Sequence, residues 1–301
     1  MNTQEASAWL LQQLRTIYSE RESQIIAEWV LEHVTGKQRM NRLAYREQPL
    51  TAEQLNRLHE MVQRLLQHEP VQYVLGQAHF YGMMLFVDNT VLIPRPETEE
   101  LVQWMVKEVT MMDAGAATKK PGTADKTKSL KILDVGTGSG CIALALKKEL
   151  PLAEVWGCDT SDAALNVARR NGAMLNIRVD FQQADFLDEA QWNSLPDVDL
   201  LVSNPPYIPQ NEITAMALNV LKHEPHTALF VPDDNPLLFY EALAQFGKKK
   251  LRPGGAVYAE ISENKGAAVV QLFQKAMYAQ VQLKKDMQGK DRMIKAMLPD
   301  P

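Results

Sequence analysis

Cysteine is almost missing from this chain. Two occur among 301 residues, Cys141 and Cys158, and they form no C-x-x-C pair. That excludes a disulfide scaffold and the common zinc spacings, and it fits a reducing compartment. Long apolar runs are missing too, since no stretch reaches the ~18–20 residues that span a bilayer. The opening MNTQEASAWLLQQLR lacks the basic head of a secretory leader. Nor is there a cationic excess: 32 Lys and Arg stand against 37 Asp and Glu, a formal net charge of -5. A protein that grips bare phosphate backbones usually carries a basic surplus. These deficits together lead to the expectation of a cytoplasmic protein with no membrane span and no direct nucleic-acid partner.

What is present is a globular composition, 46% apolar and 23% charged, enough for a core in one large or two modest domains. Residues 1–75 read as a small helical bundle. In TAEQLNRLHEMVQRLLQHEP, Leu55, Leu58, Met61, Val62, Leu65 and Leu66 share one face at helical spacing. Thr51 with Gln54 three residues later makes a capping box, and Pro70 closes the segment. Amphipathic stretches at about 5–18 and 22–34 supply two further helices. Residues 76–95 carry aromatic and β-branched side chains around Asp88-Asn89, which predicts a β-hairpin linker turning there and stopped by Pro94 and Pro96. The segment 111–129 is small, polar and Lys-rich, and reads as a mobile, solvated surface loop.

Within residues 96–301 the pattern then alternates. Strands are predicted at 130–134, 154–159, 179–184, 198–203, 255–261, 280–286 and 292–298. Helices fall between the first six, at 141–149, 162–175, about 210–220, 236–250 and 265–277. Alternating β and α units give a mostly parallel sheet with helices on both faces, and DMQGKDR closes a final hairpin that adds an antiparallel edge strand. Ligands of such sheets sit at the carboxyl ends of the strands.

The first of those ends is LDVGTGSGC. Gly136, Gly138 and Gly140 let backbone come close to a ligand and tolerate positive φ. A dinucleotide fingerprint needs Gly or Ala at 141, where Cys141 stands, and the G-K-S/T ending of a phosphate-binding loop is absent. The loop Gly136, Thr137, Gly138, Ser139, Gly140 therefore suits a nucleoside cofactor without phosphate, such as S-adenosylmethionine. Asp134 can brace the loop through backbone N–H groups, and its charge suits a sulfonium. Asp159 ends the next strand, 21 positions after Gly138, and can accept from ribose hydroxyls; capping the following helix is its blander role. Asp185 can accept from an exocyclic amine. Phe186 either stacks on a purine or belongs to the core.

The second is VSNPPYIP. Asn204 and Pro205 each precede proline and are pushed toward extended geometry; Pro205 and Pro206 have no N–H. The result is a stiff ledge of acceptor oxygens: the Asn204 side chain and the Pro205 carbonyl, with Tyr207 able to cover what they hold. Such a ledge suits an NH2 group whose nitrogen lone pair is delocalised. Positioning against a reactive methyl is then the main lever, since the proton is not acidic before attack.

These stretches, together with LIPRPETEELV (92–102), PVQYVLGQAHFYG (70–82) and HEPHTALF (223–230), resemble the class I S-adenosylmethionine-dependent methyltransferases. Among those they resemble the bacterial release-factor glutamine methyltransferase family (PrmC/HemK type), over nearly the whole chain from about residue 70. The resemblance implies a Rossmann-like, seven-stranded, mostly parallel sheet with a C-terminal antiparallel hairpin, preceded by a helical substrate-docking domain. It implies methylation of the glutamine side-chain amide in the Gly-Gly-Gln motif of class I peptide-chain release factors. It implies that Gly136 to Gly140, Asp159, Phe186 and Asn204 contact the cofactor and that Asn204, Pro205, Pro206 and Tyr207 hold the glutamine. Phe186 stands where some relatives have tryptophan, and the 111–129 segment is longer than the family pattern suggests.

Other readings remain open at this point. The same N-P-P-Y chemistry serves adenine-N6 methyltransferases, against which the acidic balance and the helical N-terminus argue. A non-catalytic docking protein is weakened by the intact glycine loop. His223 and His226 could hold a metal, but Pro225 between them breaks the helix that would present both, so no metal is expected. Cys141 and Cys158 read as buried small residues. Arg95 and Glu97 fit either a buried ion pair linking the domains or the site itself.

Overall fold

The computed structural model describes residues 1–117 and 129–299. Its first helices begin where the sequence offers reciprocal caps. Asn2 with Glu5 opens α1 (Thr3–Leu14), Ser19 with Glu22 opens α2 (Glu20–Thr35), and Thr51 with Gln54 opens α4 (Ala52–Leu66). Each pair satisfies two otherwise orphaned N–H groups. Between them lies α3 (Arg39–Ala44), and α5 (Val71–Leu75) follows Pro70. Leu58, Met61, Val62 and Leu65 are buried with Leu10, Leu14, Val30 and Leu31 in one core, and Leu55 and Leu66 pack at its margin. The helical face read from the sequence is the buried one. A groove of about 360 Å³ on this unit is lined by Leu11, Leu31, Leu43 and three arginines. One of them, Arg42, is already paired with Glu28 and with the Lys37 carbonyl.

Contacts divide the chain into two compact units, Met1–Gln77 with Met216–His223, and Ala78–Ala215 with Glu224–Pro301. The second unit opens with a hairpin of β1 (Ala78–Phe80) and β2 (Met83–Leu85). Its turn is Tyr81-Gly82, both at positive φ (49° and 67°), the conformation that matches strand twist in a two-residue hairpin. The turn expected at Asp88-Asn89 is a local Asx turn instead, Asp88 accepting from the Thr90 amide, with no strand after it. Pro96 does not stop the chain. It starts α6 (Pro96–Ala117), because a proline loses nothing at a first helical position, and Glu97 and Glu99 suit that end of the dipole. Residues 111–117 of the expected loop therefore continue a helix, and 118–128 lie outside the described residues.

There follow β3 (Lys131–Val135), α7 (Cys141–Glu149), β4 (Glu154–Asp159), α8 (Asp162–Leu175), β5 (Asp180–Gln183) and β6 (Val198–Ser203). A small parallel pair, β7 (Ile208–Pro209) and β8 (Phe230–Val231), flanks α9 (Leu218–His223). Last come α10 (Leu238–Lys250), β9 (Leu251–Glu260), α11 (Gly266–Lys275), β10 (Ala279–Lys285) and β11 (Asp291–Met297). The helix expected over 210–220 is split into a short 3-10 turn, Gln210–Ala215, and α9.

Seven strands form one sheet in the order β10-β11-β9-β6-β3-β4-β5. Only β11 runs antiparallel to its neighbours, and it lies between β9 and β10. The edge strands are β10 and β5, and the antiparallel β11 lies one place in from β10 rather than at the edge. Alternation along the strands feeds two cores. Leu133, Val135, Leu201, Val257 and Ile294 pack with α10 and α11 on one face. Ile132, Val202, Tyr258 and Met293 pack with α6 and α7 on the other, as a period of two requires.

One buried side chain knits this unit together from α8. Asn171 accepts from the Phe86 amide (2.7 Å) and donates to the Phe86 and Ser139 carbonyls (3.0 and 2.9 Å). Asn171→Ala strands those groups, and urea denaturation should show a loss of about 2–4 kcal/mol; a loss inside the experimental error would mean water replaces the amide at no cost.

Candidate functional site

Strand pairing brings the two sequence motifs together. In the parallel register of β3 and β6, Val135 lies opposite Ser203, and the Ser203 hydroxyl donates to the Val135 carbonyl at 2.7 Å. Gly136 and Asn204, the next residue of each strand, therefore leave the sheet side by side. The chain runs from β3 outward to β4 and β5 on one side and to β6 and β9 on the other. The crevice at such a reversal is where open α/β sheets take their ligands.

Gly136, Gly138 and Gly140 all adopt positive φ, 67°, 53° and 79°. At Gly140 close packing adds to the positive φ, since a Cβ would press on Ala168 and Phe181 at 3.1 Å. At Gly136 an added Cβ would touch nothing within 4 Å, so the bare backbone there leaves open room. The turn is held from three sides. Asp134 accepts from the Thr137 hydroxyl (2.6 Å) and from the Ala143 amide (3.2 Å) in the first turn of α7. Asp159 accepts from Gly138 (2.9 Å) and Ser161 (2.9 Å) amides. Asn171 holds the Ser139 carbonyl. Capping of α8 falls to Ser161, whose hydroxyl accepts from the Ala164 amide.

Asp134 is fully buried, and its second oxygen has no hydrogen-bond partner among the described residues, nor does the Ser139 hydroxyl. Burial, with the Asp159 charge adding to it, pushes the Asp134 carboxyl up to about 7. Asp159 is raised too, mainly by burial. A cation beside the loop would relieve both. Glycines without a phosphate-binding lysine, plus carboxylates short of counter-charge, fit a nucleoside carrying a positive sulfonium.

Asp185 is exposed and accepts from the Leu187 amide at 3.0 Å. The Phe186 ring takes the other of its two expected places. It is 5% exposed and packs on Trp192 and Phe246, with ring centroids 5.8 and 5.0 Å away. That arrangement belongs to the core, and stacking on a purine is not what holds the ring there.

Across the crevice Pro205 is buried, and Asn204, Pro206 and Tyr207 are half-buried. Asn204 Nδ2 donates to Thr98 Oγ1 at 3.0 Å, Thr98 donates to Glu260 Oε2 at 2.6 Å, and the Tyr207 hydroxyl donates to Glu260 Oε1 at 3.3 Å. Among the described residues no donor reaches Asn204 Oδ1. Glu260 ends β9 and is buried; burial pushes its carboxyl up to about 7, against the pull of Thr98 and Arg292. Sequence reasoning missed Thr98 and Glu260. Their signals were a hydroxyl in the first turn of a proline-started helix and an acid closing the apolar run AVYAE.

Arg95 resolves into an ion pair. Its Nη2 donates to both Glu224 oxygens at 2.7 Å, and both residues belong to the second unit. Among the described residues Glu97 makes no such pair, and it acts on Glu260 through its charge, raising it. Cys158 is buried, which pushes its thiol up, and Cys141 is half-buried. His223 faces the Gln67 carbonyl at 3.2 Å, whereas the His226 ring packs edge-on to Phe230. Among the described residues no group of three or more potential metal ligands occurs, and no helix is long and apolar enough to cross a membrane.

A family model described as the PrmC N-terminal domain matches residues 5–76, and one described as the methyltransferase small domain matches residues 113–230. The release factor glutamine methyltransferase of Flavobacterium psychrophilum is 37% identical over 285 residues, 95% of each chain. That of Bacteroides thetaiotaomicron is 38% identical over 292 residues, covering 96% of this chain and 98% of the other. The chain belongs to the release factor glutamine methyltransferase family. Membership makes it a methyltransferase and agrees with the fold class expected from the sequence. Among solved structures, the hMettl16 catalytic domain in complex with MAT2A 3'UTR hairpin 6 superposes with a TM-score of 0.53 at 13% identity, over 82% of this chain and 81% of that one. At that identity the likeness is one of fold.

Asp134 makes the pH dependence of stability testable. Its folded-state pKa, about 7, lies above the ordinary 3.8, so the folded protein keeps a proton that the unfolded chain has released. Its contribution is complete in acid and is lost as pH rises from about 4 to about 7. Measured by thermal denaturation, wild type should lose stability relative to Asp134→Asn across that window, by at most ~1.4 kcal/mol per pH unit. Parallel curves would mean that the carboxyl titrates normally.

Proposed function

We propose that this enzyme transfers a methyl group from S-adenosylmethionine to the side-chain amide nitrogen of the glutamine in the Gly-Gly-Gln motif of class I peptide-chain release factors, in the cytoplasm. The observation that carries the reading is the juxtaposition of two ledges. One is a glycine turn with buried acids behind it. The other is a proline-stiffened turn that offers only acceptors. In this reading the cofactor lies on Gly136, Thr137, Gly138, Ser139 and Gly140, with Asp159 toward the ribose and Asp185 toward the base amine. Asp134 supplies negative charge behind the loop. When bound, S-adenosylmethionine supplies an electrophilic methyl carbon on a positive sulfur.

The chain's own residues do the rest. A glutamine amide is a poor nucleophile because its nitrogen lone pair is shared with the carbonyl; the ~18–20 kcal/mol barrier to amide rotation measures that sharing. Deprotonation before attack is out of reach for a carboxylate. Alignment is not, and a well-held pair of reactants gains up to ~7–11 kcal/mol. Asn204 Oδ1 and the Pro205 carbonyl accept the two amide N–H groups, which turns the nitrogen toward the methyl. Pro206 keeps the backbone from supplying a competing donor. Tyr207 stays neutral, its hydroxyl pushed up by burial and by Glu260, and its ring shields the site from water. The proton leaves to water after attack, once the nitrogen carries positive charge.

The helical unit, Met1–Gln77, is the substrate-docking part in this reading; the PrmC N-terminal domain model covers residues 5–76 of it. The curated relatives are named release factor glutamine methyltransferases, which supports the substrate class. The net charge of -5 disfavours the alternative of adenine in nucleic acid.

Incubation with a release factor and S-adenosylmethionine should add the mass of one CH2 to the peptide bearing Gly-Gly-Gln, and none to DNA offered in its place. Label on DNA alone would overturn the substrate. Asn204→Ala should lower turnover by about 10²-fold or more, with cofactor affinity falling only a few-fold by calorimetry. Undiminished turnover in that variant would remove the proposed role of the ledge.

A further inference from the structure

The N-P-P-Y turn explains where the Asn204 side chain sits, but not which way round its amide points. An asparagine carries one acceptor and one donor group of nearly equal size, and a flip exchanges them. With Oδ1 toward the substrate, an incoming NH2 is held; with Nδ2 there, it is repelled. The ledge therefore needs something that fixes the amide.

The structure contains such a device in Thr98 and Glu260. An ionised carboxylate only accepts, so Thr98 must give its single proton to Glu260, and does so at 2.6 Å. The Thr98 oxygen is then left only as an acceptor, and Asn204 can meet it only with Nδ2, as it does at 3.0 Å. Oδ1 is thereby turned to the other side, where no donor of the described protein reaches it. Tyr207 donates to the other Glu260 oxygen at 3.3 Å, so one buried carboxylate anchors both ends of the turn. We propose that Thr98 and Glu260 are positioning residues whose fixed hydrogen-bond direction locks Asn204 with its acceptor oxygen toward the substrate amide. The proposal rests on the reading given under Proposed function and deepens it.

The polarity of the relay depends on the charge of Glu260. A protonated Glu260 can donate to Thr98, which then donates to Asn204 Oδ1, and the asparagine is held the wrong way round. The groups facing Glu260 are Glu97 and Thr98 on α6, Cys141 on α7, Tyr207 after β6, Tyr240 on α10 and Arg292 on β11. Of these, Arg292, Thr98 and Tyr207 favour the charged form and Glu97 opposes it, while burial holds the group near neutrality. Turnover should accordingly fall as pH drops through the neutral range.

The test is kcat and KM against pH for wild type, Thr98→Val, Thr98→Ser and Asn204→Ala, using a release factor as substrate and calorimetric S-adenosylmethionine binding as the check of folding. Thr98→Val keeps shape and removes the hydroxyl. Its kcat should fall about 10- to 100-fold with cofactor affinity unchanged, and its acid limb should shrink because Glu260 no longer reaches Asn204 through Thr98, leaving only what Asp134 and the Tyr207 contact contribute. Thr98→Ser restores the hydroxyl and should restore both rate and limb. Should Thr98→Val fail to bind cofactor, Thr98→Ala takes its place. A Thr98→Val enzyme with wild-type kcat, or with a reduced kcat and the same acid limb, overturns the relay. A wild-type profile that is flat between about pH 6 and 8 overturns it as well. Undiminished turnover in Asn204→Ala sinks the underlying reading instead, so the two failures are told apart.

Discussion

The site depends on one piece of strand pairing. β3 and β6 lie side by side and parallel, although β4, α8 and β5 separate them in sequence, and their register sets Val135 against Ser203. The Ser203 hydroxyl seals that register with a hydrogen bond to the Val135 carbonyl. Shifting the pairing by one residue would reverse every side chain of β6 between the two cores, exchanging Leu201 for Val202. It would also move Asn204 a residue's length along the sheet from Gly136. The hydrophobic alternation that stabilises the sheet therefore also fixes the distance between the glycine turn and the proline ledge.

Around that pairing the fold accepts a stability cost. Asp134 and Glu260 are buried acids, each raised to about 7, and Asp159 is raised beside them. Burying carboxylates with less than full compensation works against folding. The arrangement makes sense if the charges work on ligands. Among the described residues Asp134 lacks a donor on one oxygen, behind a loop suited to a cation. Glu260 spends both oxygens on the direction of hydrogen bonds in the facing turn. Raised carboxylates and unpaired polar atoms at the carboxyl edge of the sheet, with two well-packed cores beneath it, are the usual division of labour between site and scaffold.

What could be read from the sequence followed sequence distance. The glycine turn, Asp159 and N-P-P-Y are contiguous motifs, each with its own backbone logic, and the structure places them at the carboxyl edge as expected. Most strand and helix bounds followed from periodicity. Thr98 and Glu260 were not legible because their meaning lies in partners 106 and 162 residues apart along the chain. The same holds for Asn171, whose partners at Phe86 lie 85 residues away. The hairpin turn was misplaced because Asp-Asn is a stronger local turn signal than Tyr-Gly; the alternating burial of Ala78, Phe80, Met83 and Leu85 in β1 and β2 decided instead. Reading Pro96 as a stop hid α6, although Glu97 and Glu99 behind it are what a helix start attracts. The antiparallel position of β11 inside the sheet is a topological choice that no local pattern of its residues encodes.

The ledge has a consequence for selectivity. In the proposed reading Asn204 Oδ1 and the Pro205 carbonyl hold a planar NH2 with a delocalised lone pair, and that description covers an aminopurine as well as a carboxamide. Both would be aligned by the same two acceptors and shielded by the same tyrosine. Selection of the substrate must then come from surfaces outside the turn. A polyanion would have to approach a chain with more acids than bases, and would forfeit the counter-ion release on which such binding depends. A polypeptide carries no such demand, and the proposed docking role of the helical unit would give it a second surface. On the proposed reading, reactivity set by the turn and identity set by a second surface would let the turn be built for alignment alone. That also explains why its chemistry can be so spare: two acceptors, two prolines, one ring and a buried acid to keep the asparagine facing the right way.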